Sequence, residues 1–217
     1  MGFGREARRV RDKSLPFAYR LHALGSCIQM SQPIGFHATW SYLEERVGRT
    51  WRDPEFLLPA LALLDEVRAR HQVLERQYAE LRRSEKRSGL RFPDGDAVTP
   101  ETPRRWHGDE RAGARHTLRS RQRRFKDPAL AQHPVGAEVV ATVDRVLASG
   151  AVAVHDLESL ERCLGWPRRQ IHVAGWEADP AEYRVASVVL HLIGQLHVMT
   201  YGGQPPGSAW HFAAEPV

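Results

Sequence analysis

Apolar residues recur along this chain at alternating spacings of three and four, the period of a helix with one buried face. Phe17, Leu21, Leu24 and Ile28 form the first such run, behind Ser14 as a candidate N-cap and Pro16 near the first turn. SQPIG, residues 31–35, breaks it. Phe36, Trp40, Leu43 and Val47 then repeat the spacing as far as Gly48, a natural helix stop. Asp53-Pro54-Glu55 opens the next element with a capping carboxylate, a proline in the first turn and an acid at the positive end of the helix dipole.

The helix that follows is predicted to run to about Arg87. Leu57, Ala60, Leu64, Val67, His71, Leu74, Tyr78 and Leu81 lie on one stripe of heptad type, with Glu66 and Arg70 as an i,i+4 pair outside it. The favoured use of that stripe is as the antiparallel partner of the two shorter helices in a bundle. A self-associating coiled coil is the other. Residues 88–103, SGLRFPDGDAVTPETP, carry three prolines and a Pro-Asp-Gly turn and read as a linker.

Past residue 134 the pattern changes. Val139, Val140, Val143, Val146 and Leu147 predict a helix ending at Gly150. Leu157, Leu160 and Leu164 predict a short one stopped by Gly165, PRRQIHVAGWEA another, and Asp179-Pro180 a fourth carrying Val185, Val188, Val189 and Leu192. LHVMTY and SAWHFA, on either side of GGQPPG, read as a β-hairpin. Helices followed by a hairpin resemble a winged helix in element order, with no specific motif. The expected architecture is therefore mainly α: a helical bundle over 14–87, a Pro-containing and then Arg-rich linker or arm over 88–126, and a helical domain with a β-hairpin over 134–213.

Charge sharpens this picture. The 217-residue chain has a net charge of +5, but residues 127–217 hold only Arg145, Arg162, Arg168, Arg169 and Arg184 against ten Asp or Glu. The excess cations lie in residues 1–20 and above all in RRWHGDERAGARHTLRSRQRRFK, residues 104–126, which carries nine Arg or Lys against Asp109 and Glu110. As a helix starting at Asp109, this segment places Arg111, Arg115, Arg119 and Arg123 at successive i+4 positions. Like charges at that spacing disfavour an isolated helix by roughly 0.2–0.5 kcal/mol a pair. Bound phosphates would remove the repulsion and release counterions. Arg104, Arg105, Arg121, Arg124 and Lys126 add to the same field, and Trp106 and Phe125 are candidates to stack on exposed bases. In the C-terminal part only Arg168 and Arg169 stand at a helix start that a DNA groove would meet, and that part is net acidic. It is better suited to assembly.

Catalytic and metal signatures are absent from the sequence. Eleven histidines are scattered without HExxH or a clustered Cys/His set, and His191 and His197, six apart, share no helical face. Cys27 and Cys163 stand too far apart for a CxxC knuckle or a disulfide framework. No metal site, cofactor or membrane span is expected. The charged N-terminal stretch lacks the apolar core of a signal peptide, and the default location is the cytoplasm. The leading expectation is a non-enzymatic nucleic-acid-binding accessory or regulatory protein, with DNA ahead of RNA. An adaptor that meets an acidic protein surface is the alternative, and a small helical enzyme the third. Self-association is expected through the 57–81 helix or the C-terminal domain.

Overall fold

The computed structural model describes residues 2–91, 105–122, 128–172 and 179–202. The chain divides into two compact units. Of the described residues, those up to 91 and 105–116 belong to the first, and those from 117 onward to the second.

The first unit begins with a helix that periodicity in the charged N-terminal stretch did not announce, α1 (Phe3–Arg11). Phe3, Ala7 and Val10 turn inward while Arg5, Arg8, Arg9 and Arg11 stay outside. Glu6 is buried among them and is held by Arg9 at 3.1 Å. Arg11 pairs with Asp65, and the Arg68 guanidinium lies 4.7 Å from the centre of the Phe3 ring, which pins α1 to the long helix. The basic N-terminal tail is thus built into the core.

α2 (Phe17–Ser31) and α3 (Phe36–Val47) follow the expected periodicity. Ser14 does not cap α2; its side chain and amide both bond Asp12, and Pro16 takes the capping position. Asp53 does cap: its carboxylate accepts the Glu55 N–H at 2.8 Å and starts a single 3-10 turn, Pro54–Phe56, that runs into α4 (Leu57–Arg87). Leu24, Ile28, Leu43, Phe56, Leu57, Leu61 and Leu64 are fully sealed between α2, α3 and α4.

The stripe on α4 has two fates, and helix length explains both. At about 1.5 Å per residue, α4 with 31 residues is about 46 Å long, whereas α2 with 15 and α3 with 12 are about 22 and 18 Å. Leu57, Ala60, Leu64 and Val67 are therefore covered by the bundle, and the helix outruns its partners after Val67. Leu74 is 39% and Leu81 45% exposed, with Val73 beside them at 43%.

The second unit packs α6 (Pro128–Gln132), α7 (Pro134–Ser149), α8 (Val154–Cys163), α9 (Gly165–His172) and α10 (Pro180–Tyr201) around Leu130, Val139, Val143, Val146, Leu160, Val189, Leu192, Ile193 and Leu196. Asp179 caps α10 through the Ala181 N–H at 2.8 Å. Asp156 in the first turn of α8 accepts the Ala153 N–H at 3.0 Å and Arg145 at 2.8 Å. Burial opposes ionisation of this carboxyl, but those two bonds win and hold it below the usual carboxylate range.

No strand occurs among the described residues, and the expected first strand of the hairpin is instead the end of α10. Leu196 to Tyr201 continue a helix whose buried positions, Val185, Val189, Leu192 and Leu196, keep helical spacing. Extending an existing helix adds one hydrogen bond per residue fixed, so the weak β-preference of Val198 and Thr200 does not end it. Gly202, assigned by the sequence pattern to the turn, ends it, with φ at 66° and its N–H on the Val198 carbonyl. The winged-helix element order falls with the strand. SAWHFA lies outside the described residues.

Leu64→Asp should abolish cooperative melting of the first unit, because it buries an unpaired carboxylate. Leu74→Asp should shift stability by no more than about 0.5 kcal/mol, since its side chain reaches water. Circular dichroism melts of the two variants check this, and sedimentation of the second reports whether the exposed stripe joins copies.

Candidate nucleic-acid interface

The Arg-rich stretch enters the described structure at Arg105 and forms α5 (Glu110–Arg121). Its residues up to His116 belong to the first unit and those from Thr117 to the second. Trp106 is 4% exposed and belongs to the bundle core, where its ring stacks on Tyr42 of α3 with centroids 3.9 Å apart and planes 28° from parallel. The Tyr42 hydroxyl donates to Asp109 at 2.9 Å, and Arg46, one turn on, pairs with the same carboxylate. Burial of Tyr42 raises its pKa, which keeps that hydroxyl a donor.

Asp109 sits at the start of α5 and donates its N–H to the Trp106 carbonyl, while the Gly113 N–H donates to the Asp109 carbonyl. Gly113 has to be small here: a Cβ would lie 2.7 Å from the Trp106 Cβ. Farther along, Arg115 reaches Glu45 at 2.7 Å, and the buried His116 ring lies between Ser41 Oγ at 3.0 Å and Glu45 at 3.2 Å. Side chains of α3 and α5 thus interlock along about two turns.

The expected site residues separate accordingly. Arg111 and Arg119 are exposed on α5, and Arg121 is half-buried. Arg115, in the same i+4 row, is half-buried and engaged with Glu45. Burial pulls the Arg105 guanidinium below its ordinary value, against the opposing pull of Glu110, though an Arg so shifted stays cationic at neutral pH. Trp106, expected to stack on bases, spends its ring face on Tyr42. Arg168 and Arg169 fall in α9 of the other unit. Arg104, Arg123, Arg124, Lys126 and Phe125 lie outside the described residues.

Two histidines that carry no sequence signal meet beside this site. His107 stacks on His71 of α4, with planes 18° apart and Nδ1 of His71 3.4 Å from Nε2 of His107. Glu75 faces the other nitrogen of His71 at 3.3 Å. Burial, and secondarily the neighbouring His71, depress the His107 pKa. Among the described residues no group of three or more His, Cys, Asp or Glu is arranged to hold a metal ion. Burial also pushes the Cys27 and Cys163 thiols up to about 11, so neither is a thiolate at neutral pH. No described helix is long and apolar enough to cross a membrane.

Comparison with protein-family models, with curated proteins and with solved structures gives no match for the chain.

Two outcomes follow from this docking. Trp106→Ala should destabilise the first unit by about 3–5 kcal/mol, the usual cost of emptying a buried aromatic site, measurable by denaturant titration. The His107 shift has a definite sign. A histidine with a folded pKa below its unfolded value near 6.5 takes up its proton first in the unfolded chain. Stability should therefore fall as the pH drops through about 6.5 toward the folded value. His107→Asn should flatten that part of the stability–pH curve.

Proposed function

We propose that the protein is a nucleic-acid-binding accessory or regulatory protein whose phosphate contacts come from α5 and the cations flanking it. The observation that carries this reading is the docking of α5. Trp106, Asp109 and His116 hold the helix on the bundle, while Arg111 and Arg119 stay exposed within a stretch of nine Arg or Lys. A guanidinium row on a pre-formed helix meets phosphates without first ordering an arm, and Arg suits their bidentate geometry better than Lys. DNA is favoured over RNA because regularly spaced cations on a helix match a regular backbone. Residues 127–217, with five Arg against ten Asp or Glu, suit assembly rather than groove reading.

A second reading, a protein-interaction adaptor, is favoured by one observation: the apolar side of α4 left exposed at Val73, Leu74 and Leu81. Another copy of this chain would cover that apolar side, and an acidic protein surface would meet the Arg-rich segment. Cytoplasmic location goes with either reading.

Binding by α5 predicts a salt dependence smaller than four unengaged cations would give. Arg115 is held by Glu45, and log K should fall linearly with log salt, with a slope of roughly −0.9 for each phosphate neutralised on a duplex. Replacing Arg111, Arg119 and Arg123 by Gln should remove most of that slope. A protein that shifts neither DNA nor RNA at low salt is the adaptor instead.

A further inference from the structure

We propose that Ser41 is an activated nucleophile, with His116 as its base and Glu45 orienting that base. The first unit would then carry a slow acyl-transfer site for activated carboxylic esters or thioesters. This goes beyond nucleic-acid binding and does not rest on it.

Helix α3 presents His37, Ser41 and Glu45 one turn apart on a single face. Helix α5 lays His116 across the last two. The ring is 2% exposed, its Nδ1 stands 3.0 Å from Ser41 Oγ, and its Nε2 stands 3.2 Å from Glu45 Oε2. Arg115 takes the other carboxylate oxygen at 2.7 Å, fixing the orientation of Glu45. In the tautomer that the site requires, the proton sits on Nε2, on the side of the Glu45 carboxylate, and Nδ1 carries the lone pair that accepts the Ser41 hydroxyl proton. Nucleophile and base are then hydrogen-bonded, with the Glu45 carboxylate at ion-pair distance behind the ring.

Ser41 also differs in its partner from Ser26, Ser31 and Ser88. Ser26, Ser31 and Ser88 each donate back to the carbonyl four residues earlier, the ordinary local bond for a helical serine. Ser41 bonds the imidazole instead, and it is the exposed member of the set while its base is sealed. A substrate carbonyl can approach from solvent with the base already behind the hydroxyl.

In the reaction, Ser41 Oγ bonds to the acyl carbon as its proton passes to His116 Nδ1. The bond from that carbon to the leaving oxygen or sulfur breaks, and the leaving group takes the proton from His116. Water then repeats the sequence on the acyl-serine and releases the carboxylic acid. The exposed His37, one turn before Ser41, is placed to donate to the carbonyl oxygen as charge builds there. Backbone N–H groups inside α3 are committed to the helix, so turnover is slow and the acyl-serine accumulates.

The test treats the full chain with a fluorophosphonate probe, which forms a phosphonyl–Oγ bond and expels fluoride, and maps the adduct by peptide mass spectrometry. One adduct is expected, on the peptide containing Ser41. It should be lost in Ser41→Ala, retained in Ser26→Ala, and formed roughly tenfold or more slowly in Glu45→Gln. Glu45→Gln is the informative variant because it leaves the buried imidazole in place, whereas His116→Ala would empty a core site. An aryl acetate should give a burst of one equivalent followed by slow release. The proposal is overturned if Ser41 labels no faster than in heat-unfolded protein, or if Glu45→Gln labels as fast as the parent. Loss of nucleic-acid binding in the arginine variants would leave this labelling unchanged, so the two readings fail separately.

Discussion

The contact on which the first unit's surface chemistry depends is the stack of Trp106 on Tyr42. It returns the chain to the bundle and fixes where α5 begins. Its weight against the opposing term is clear. An aromatic side chain buries 150–250 Å², so at about 25 cal/mol per Å² the stack contributes roughly 4–6 kcal/mol. Repulsion within the row Arg111, Arg115 and Arg119 amounts to about 1 kcal/mol or less at 0.2–0.5 kcal/mol a pair. Burial of one ring therefore holds a cationic helix that would be marginal alone. The ion pairs with Asp109 and Glu45 reduce the repulsion further, because they give Arg46 and Arg115 carboxylate partners.

That same docking makes the local chemistry. Glu45 and Ser41 are one turn apart on α3, and the imidazole that lies against both is distant in sequence. His116 arrives from 75 residues away, as His107 arrives 36 residues after His71. One cationic helix thus serves two ends. Its exposed side carries the guanidinium groups proposed to meet phosphates, and its inner side carries the histidine that bonds Ser41.

Helix α4 shows the complementary constraint, geometric rather than energetic. A heptad stripe reports that one side of a helix is apolar, not what covers it. The bundle helices reach only as far as Val67, and from Leu74 onward the same stripe meets water. A long helix with half its seam filled internally and half exposed is suited to linking a folded unit to another surface.

The sequence by itself determined the elements whose signals are local: the periodicities of α2, α3, α4 and α7, the Asp53 and Asp179 caps, and the start of α5 beside Asp109. These depend on the i to i+4 geometry of one segment, which single residues report. α1 carried its signal too, in Phe3, Ala7 and Val10, but the arginines between them hid it. Tertiary structure alone decided the rest. LHVMTY became helix because α10 was already propagating and its buried face continued past Leu192. Trp106 became core because Tyr42 stood where its ring could stack. His116 came to face Ser41 and Glu45 because α5 docked on α3. In each case the deciding free energy belongs to a pair of surfaces far apart in sequence, and a pattern read along one chain segment contains only half of such a pair.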